Sequence, residues 1–194
     1  VRLHEELEQF NSEFAHAPTV LYYLSIPPSV FSPVIHSLRE CGAVTKGDAS
    51  RTVIVEKPFG YDTDSAKALN ETLYETFDES QIYRIDHYLG KEAIMNLMVM
   101  RFANIIFEPV WNRNYIESVT VSWEEDKNIG SRGGYFDEAG IIRDVMQNHL
   151  LQILALVAME QPTDYSSKSI MTEKIKALKS ISPITLDDCV LGQY

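Results

Sequence analysis

Three short apolar runs separated by helical patterns constrain this chain more than any other feature. Val20 to Ile26 is almost continuously apolar, Val53 to Val55 forms a second run and Ile82 to Ile85 a third. Strands covered on both faces read this way, because neither face is left to water. Pro27 and Pro28 stop the first run, and a helical pattern follows to Cys41 with Gly42 beyond it. Between the second and third runs, Ala66, Leu69, Leu73 and Phe77 lie on one helical stripe of the segment Asp62 to Phe77. The alternation predicts a parallel sheet with right-handed crossovers, in which ligands gather at the carboxyl ends of the strands. Glu56-Lys57-Pro58-Phe59-Gly60 stands at such an end. Leu3, Leu7, Phe10 and Phe14 recur at helical spacing, so an amphipathic helix packing on the sheet is expected first.

Beyond residue 85 the pattern changes to long helices flanking one expected strand, Ile116 to Trp123. A boundary near residues 80 to 88 follows, giving expected domains 1–84 and 85–194. The helix expected from about Ile141 to Met159 is apolar almost all round, yet it carries Asp144, Gln147, Asn148, His149 and Gln152. Polar groups inside such a helix must be hydrogen-bonded or functional.

With 194 residues, 45% of them apolar, there is room for one full domain or parts of two. The chain opens on Val1 without an initiator methionine and closes on an apolar stretch, so it is expected to be cut from something longer. No apolar run approaches the roughly 20 residues a bilayer span needs, and no membrane partner is expected. The formal net charge is −11 with basic residues scattered singly among acids, which disfavours nucleic acid. An anionic ligand then requires a local basic pocket. Cys41 and Cys189 show neither metal-ligand spacing nor a disulfide framework, which argues for a reducing compartment and sets zinc aside.

Four polar constellations stand out. Lys57, at a strand end, is a candidate cation for an anionic ligand, although lysines at loop starts are also commonly solvated. Asp86-His87-Tyr88-Leu89-Gly90-Lys91 gathers an imidazole, a phenol and an ammonium within six residues. A phosphate dianion wants such charge-assisted donors, and a helix starting here would put His87 and Lys91 one turn apart. The bland alternative is an ordinary helix start with a solvated lysine. His149, in the apolar helix, is either a hydrogen-bonded core histidine or a general base, a role that suits an imidazole with a reference pKa near 6.5. Asp86 is a candidate to orient it, whereas Asp144, about 140° away around an α-helix, is expected to face elsewhere and to hold substrate. Glu124, Glu125 and Asp126 end the expected strand, where acidic clusters are usually solvated.

Arg84-Ile85-Asp86-His87-Tyr88-Leu89-Gly90-Lys91-Glu92 resembles the signature segment of the glucose-6-phosphate dehydrogenase family. Further similar segments are Ile54 to Gly60, Arg101-Phe102-Ala103-Asn104, Gly133-Gly134-Tyr135-Phe136-Asp137, Gly140 to Asp144, and Gln147 to Gln152. The resemblance runs in order from about residue 20 to the end. It implies the second part of an α/β Rossmann-type coenzyme domain, followed by the start of an α+β substrate domain with a large, mostly antiparallel sheet. The family's glycine-rich phosphate loop and the part of its sheet that mediates subunit association have no counterpart here.

The resemblance also implies roles. His149 corresponds to the base that takes the proton of the sugar's anomeric hydroxyl, and Asp86 to the carboxylate paired with it. Lys57 corresponds to a lysine touching sugar and coenzyme, beside a proline whose peptide bond the family uses in an unusual conformation. His87, Tyr88 and Lys91 correspond to the phosphate site, and Glu125 and Asp144 to sugar-hydroxyl ligands. Asp126-Lys127-Asn128-Ile129 departs from the family pattern that follows Glu125. Phe31 stands where some members place a tyrosine near the coenzyme, so only stacking or apolar contact is expected of it. Substrate and coenzyme would be glucose 6-phosphate and NADP, in a homo-dimer or homo-tetramer, cytoplasmic or alternatively in a plastid. Three rivals remain at this point: a glucose-fructose oxidoreductase-like dehydrogenase, which shares only Glu-Lys-Pro; a luminal hexose-6-phosphate dehydrogenase, to which the sequon Asn70-Glu71-Thr72 would be relevant; and a binding fragment without turnover.

Overall fold

A computed structural model describes residues 2–13, 19–126, 128–130 and 133–192. They fall into two compact units, Val1–Asp86 and His87–Tyr194.

The first unit is built on a three-stranded parallel sheet in the order β1 (Val20–Leu24), β2 (Arg51–Glu56), β3 (Ile82–Ile85). Val20 pairs with Arg51 and Leu24 with Val55, while Val53 pairs with Ile82 and Glu56 with Ile85. The helix α1 (Arg2–Glu13) comes first; α2 (Phe31–Glu40) joins β1 to β2, and α3 (Thr63–Thr76) joins β2 to β3. Phe14, expected on the α1 stripe, lies outside the described residues. Val53, Val55, Ile35, Phe77 and Leu73 are at most 1% exposed and form the centre of the core with Phe31, Leu38 and Tyr22. Burying each such side chain is worth about 1.5–3 kcal/mol, which is what turns three marginal strands into a sheet. α3 starts sharply because Asp62 accepts from the Ser65 amide at 2.8 Å while Ser65 Oγ accepts from the Asp62 amide at 3.0 Å.

The second unit is helical among its described residues. It holds α4 (Glu92–Phe102), α5 (Gly133–Ile141), a π-helix (Ile142–Leu150), α6 (Leu151–Ala158) and α7 (Ser167–Lys179). Gly140, with φ of 69°, breaks α5 before the π segment. Phe102, Leu156 and Met159 form the centre of its core, with Leu89, Ile94, Leu97, Met98, Ile170 and Ala177 packed around them. Residues 116–125, expected to contain a strand at Ile116 to Trp123, carry no ladder. A strand exists only where a second one takes its backbone hydrogen bonds, and no such ladder forms here among the described residues. Nor does a helix start at His87. Residues 87–90 are turns, with Gly90 N donating to His87 O at 3.3 Å and Lys91 N to Tyr88 O at 3.1 Å, and α4 begins only after Lys91.

Candidate active site

Lys57 directly follows β2, so the sheet delivers it to the carboxyl end of the central strand, where it is half-buried. The Lys57–Pro58 peptide is cis. Gly60 closes this loop at φ of 94°, and a Cβ there would stand 2.5 Å from the Ala66 amide nitrogen, so the loop lies directly on the start of α3. Beside it, the Tyr23 hydroxyl donates to the Glu56 carboxylate, and that bond holds the phenol above its usual range. Phe31 goes elsewhere: it is 2% exposed, inside the core. Asn70 Oδ1 accepts from Arg84 Nη2 at 2.8 Å, so the sequon's amide is engaged within the fold.

In the second unit, His149 is 2% exposed. The Tyr88 ring stacks on its imidazole at 4.0 Å between centroids and 19° between planes, and the His87 ring meets it edge-on at 4.9 Å. The other notable neighbour of Tyr88 is Lys91, whose ammonium lies 3.8 Å from the phenol ring centroid. Trp123 Nε1 donates to the Tyr88 hydroxyl and fixes the phenol's far end. The His87 and Tyr88 rings thus lie against one buried histidine, and the Lys91 ammonium lies over the Tyr88 ring.

Asp144 corrects the expectation drawn from α-helical geometry. The segment Ile142–Leu150 is π-helical, closing i→i+5. With a little over four residues per turn, five residues return to within roughly 50° of the starting direction. Asp144 and His149 therefore share one side of their helix, and both are buried, at 8% and 2% exposure. The Tyr135 hydroxyl donates to Asp144 Oδ1 at 3.2 Å and orients that carboxylate. Glu124, Glu125 and Asp126 are all exposed.

Sequence reasoning missed Tyr135 and also Arg101, which is 5% exposed and donates to the Leu156 and Met159 carbonyls at 2.5 and 2.7 Å. It assigned no role to the buried Lys174, which donates to the Gln152 side chain. A lone charged residue in a helix gives no local signal that it is buried. Only the flanking apolar residues Phe102 and Met100 could have pointed to it.

A parallel α/β unit with a lysine at its central strand end, followed by a helical unit with a buried histidine, defines a two-part α/β and α-helical chain. Residues 1–96 match the family described as Glucose-6-phosphate dehydrogenase, NAD binding domain, and residues 98–194 match Glucose-6-phosphate dehydrogenase, C-terminal domain. The chain belongs to the glucose-6-phosphate dehydrogenase family. It is 52% identical over 194 residues to a Caenorhabditis elegans glucose-6-phosphate 1-dehydrogenase, covering all of this chain and 37% of that protein. It is 53% identical over 176 residues to cytoplasmic glucose-6-phosphate 1-dehydrogenase 6 of Arabidopsis thaliana and 52% identical over 174 residues to a chloroplastic enzyme of Spinacia oleracea, covering 90% of this chain in each case and 34% and 30% of the relatives. A solved glucose-6-phosphate dehydrogenase in complex with its substrate glucose-6-phosphate superposes with a TM-score of 0.91 at 46% identity, covering all of this chain and 40% of the other. The chain spans about a third of the length of these curated relatives. No helix among the described residues is long and apolar enough to cross a membrane.

Proposed function

We propose that the complete enzyme carrying this sequence oxidises glucose 6-phosphate to 6-phosphogluconolactone with NADP as hydride acceptor. The observation that carries the reading is the packing of His87 and Tyr88 on buried His149, with Lys91 over the Tyr88 ring, in a chain about half identical to curated glucose-6-phosphate 1-dehydrogenases. His87, Tyr88 and Lys91 anchor the sugar's phosphate, and His149 takes the proton of the anomeric hydroxyl. Asp86 is assigned, on the resemblance, as the carboxylate that stabilises the resulting imidazolium. Asp144 and Glu125 hold sugar hydroxyls; Asp144 is the better supported, being buried and oriented by Tyr135. Lys57 reaches sugar and coenzyme from the strand end. When bound, the coenzyme supplies the nicotinamide that accepts the hydride.

The residues present fit such a coenzyme, because Lys57 offers a cation at the open carboxyl end of a parallel sheet. Phe31, packed in the core, is assigned only an apolar contact with the coenzyme. General-base catalysis contributes about 10² to 10⁴ in rate, and the remainder comes from orientation by the phosphate anchor. The units are read as the second part of the coenzyme domain, expected to end near residue 84, and the start of a substrate domain whose large antiparallel sheet would give residues 116–123 their strand partners. A homo-dimer or homo-tetramer, in cytoplasm or plastid, completes the proposal; the relatives include both cytoplasmic and chloroplastic enzymes.

The test is sugar preference. Lys91→Ala should raise KM for glucose 6-phosphate by about tenfold or more and leave KM for glucose nearly unchanged, since only the phosphorylated sugar loses a charge-assisted contact. Steady-state kinetics with both sugars decides it, and equal effects on the two would refute a phosphate role.

A further inference from the structure

We propose that Arg101 is a positioning residue, clamping the carboxyl end of α6 to the end of α4 and so fixing the spacing between the Lys91–Tyr88 phosphate anchor and His149. The inference rests on the reading of those residues given above.

α4 has Lys91 at its amino end and Arg101 in its last turn, a span of ten residues or about 15 Å. The other helix carries His149 in its π segment and ends at Ala158. Near the start of α4 the two elements meet through the stack of Tyr88 on His149. At the far end they meet through Arg101, whose Nη1 and Nη2 donate to Leu156 O at 2.5 Å and Met159 O at 2.7 Å. Trp111 Nε1 adds a third bond, to Val157 O at 2.9 Å. Helix carboxyl ends leave carbonyls without intrahelical partners and carry partial negative charge, so a cation there meets both needs.

Arg101 is 5% exposed, and its guanidinium carbon lies 4.5 Å from the Phe102 ring centroid and 5.1 Å from that of Trp111. An apolar side chain would fill that space without desolvating a charge. What arginine adds is a rigid planar fork that reaches two carbonyls at once. Such a fork matters here because the π segment lies directly upstream of α6 and has a competing α register, in which each closure skips one residue fewer. Holding carbonyls 156, 157 and 159 blocks that slip, and His149 stands only seven residues, about 10 Å, from the first of them. A substrate gripped at its phosphate and deprotonated at its other end is sensitive to this spacing. An unphosphorylated sugar, held at one end, is much less so.

The experiment compares Arg101→Lys and Arg101→Ala with the parent in the complete enzyme, measuring kcat/KM for glucose 6-phosphate and for glucose, with Lys91→Ala in parallel. The Arg101 variants should lower the ratio of the two kcat/KM values by about tenfold or more, since misplacement by about 1 Å costs up to 10²-fold. Millimolar guanidinium should restore part of the ratio in Arg101→Ala but not in Arg101→Lys. If Arg101→Ala fails to fold, the lysine variant carries the test, because it keeps the charge and loses the fork. An unchanged ratio would overturn the proposal, whether both kcat/KM values fall by the same factor, which marks a purely structural role, or neither moves. If Lys91→Ala also leaves the ratio unchanged, the phosphate reading fails and takes this proposal with it; if Lys91→Ala collapses the ratio while the Arg101 variants preserve it, only the positioning role fails.

Discussion

His149 and Asp144 are both withdrawn from water, at 2% and 8% exposure, and a π turn brings them to one side of their helix. Burial of two such groups is costly unless hydrogen bonds or function offset it. The choice between Asp86 and Asp144 as partner of the histidine can be read from pH dependence. A carboxylate beside an imidazole favours its protonated form, so removing the partner's charge should shift the acidic limb of kcat/KM to lower pH. The account predicts this shift, with reduced kcat, for Asp86→Asn, and a raised KM with an unmoved limb for Asp144→Asn. Profiles of kcat/KM against pH for both variants check it; a limb that moves only in the Asp144 variant would reassign the partner. At this scale the sequence was informative where chemistry clusters locally, as in His87, Tyr88 and Lys91. It was silent on Tyr135, which lies nine residues before Asp144 and reaches it only because α5 breaks at Gly140 and the helix then widens.

Among elements, the loop between α2 and β2 shows how much of the first unit hangs on one side chain. Gln81, 1% exposed, donates through Nε2 to the carbonyls of Asp48 and Arg51 at 2.9 and 2.7 Å and to that of Thr45 at 3.3 Å. Its Oε1 accepts from the Gly47 and Asp78 amides, both at 2.8 Å. Gln81→Leu keeps most of the volume but leaves these backbone groups without their partner, each a loss of about 1 kcal/mol or more. Local opening of residues 45–51 should become easier by about 3–5 kcal/mol, read by amide hydrogen exchange in the complete enzyme, with a lower Tm. Unchanged exchange in that loop would show that water replaces the glutamine without loss. All three strands and the helices joining them were legible because their apolar periods differ, but Gln81 was not: between Ser80 and Ile82 a glutamine reads as surface. Residues 116–123 show the converse, since an apolar alternation predicts a strand whether or not a partner stands beside it, and no ladder forms there among the described residues.

For the whole molecule, the parallel sheet and the helical unit bring different chemistry, a strand-end lysine in one and the imidazole cluster in the other. Ile105, Ile106 and Tyr115, exposed at 83%, 72% and 69%, follow α4 in the same unit that lacks a ladder at 116–125. Exposed apolar side chains of this kind are what a sheet would cover, in keeping with the large sheet proposed for the complete enzyme. With a net charge of −11, an anionic ligand needs local cations to offset the overall repulsion, which is why the lysines are candidate binding groups. The central claim remains that His149 is the base of a glucose 6-phosphate oxidation. It is tested most directly by following NADP reduction in the complete enzyme and in its His149→Asn variant. An amide keeps a hydrogen bond but cannot take the proton, so kcat should fall by about 10²-fold or more while KM for glucose 6-phosphate stays within about threefold. A variant that turns over at nearly the parent rate would contradict the account.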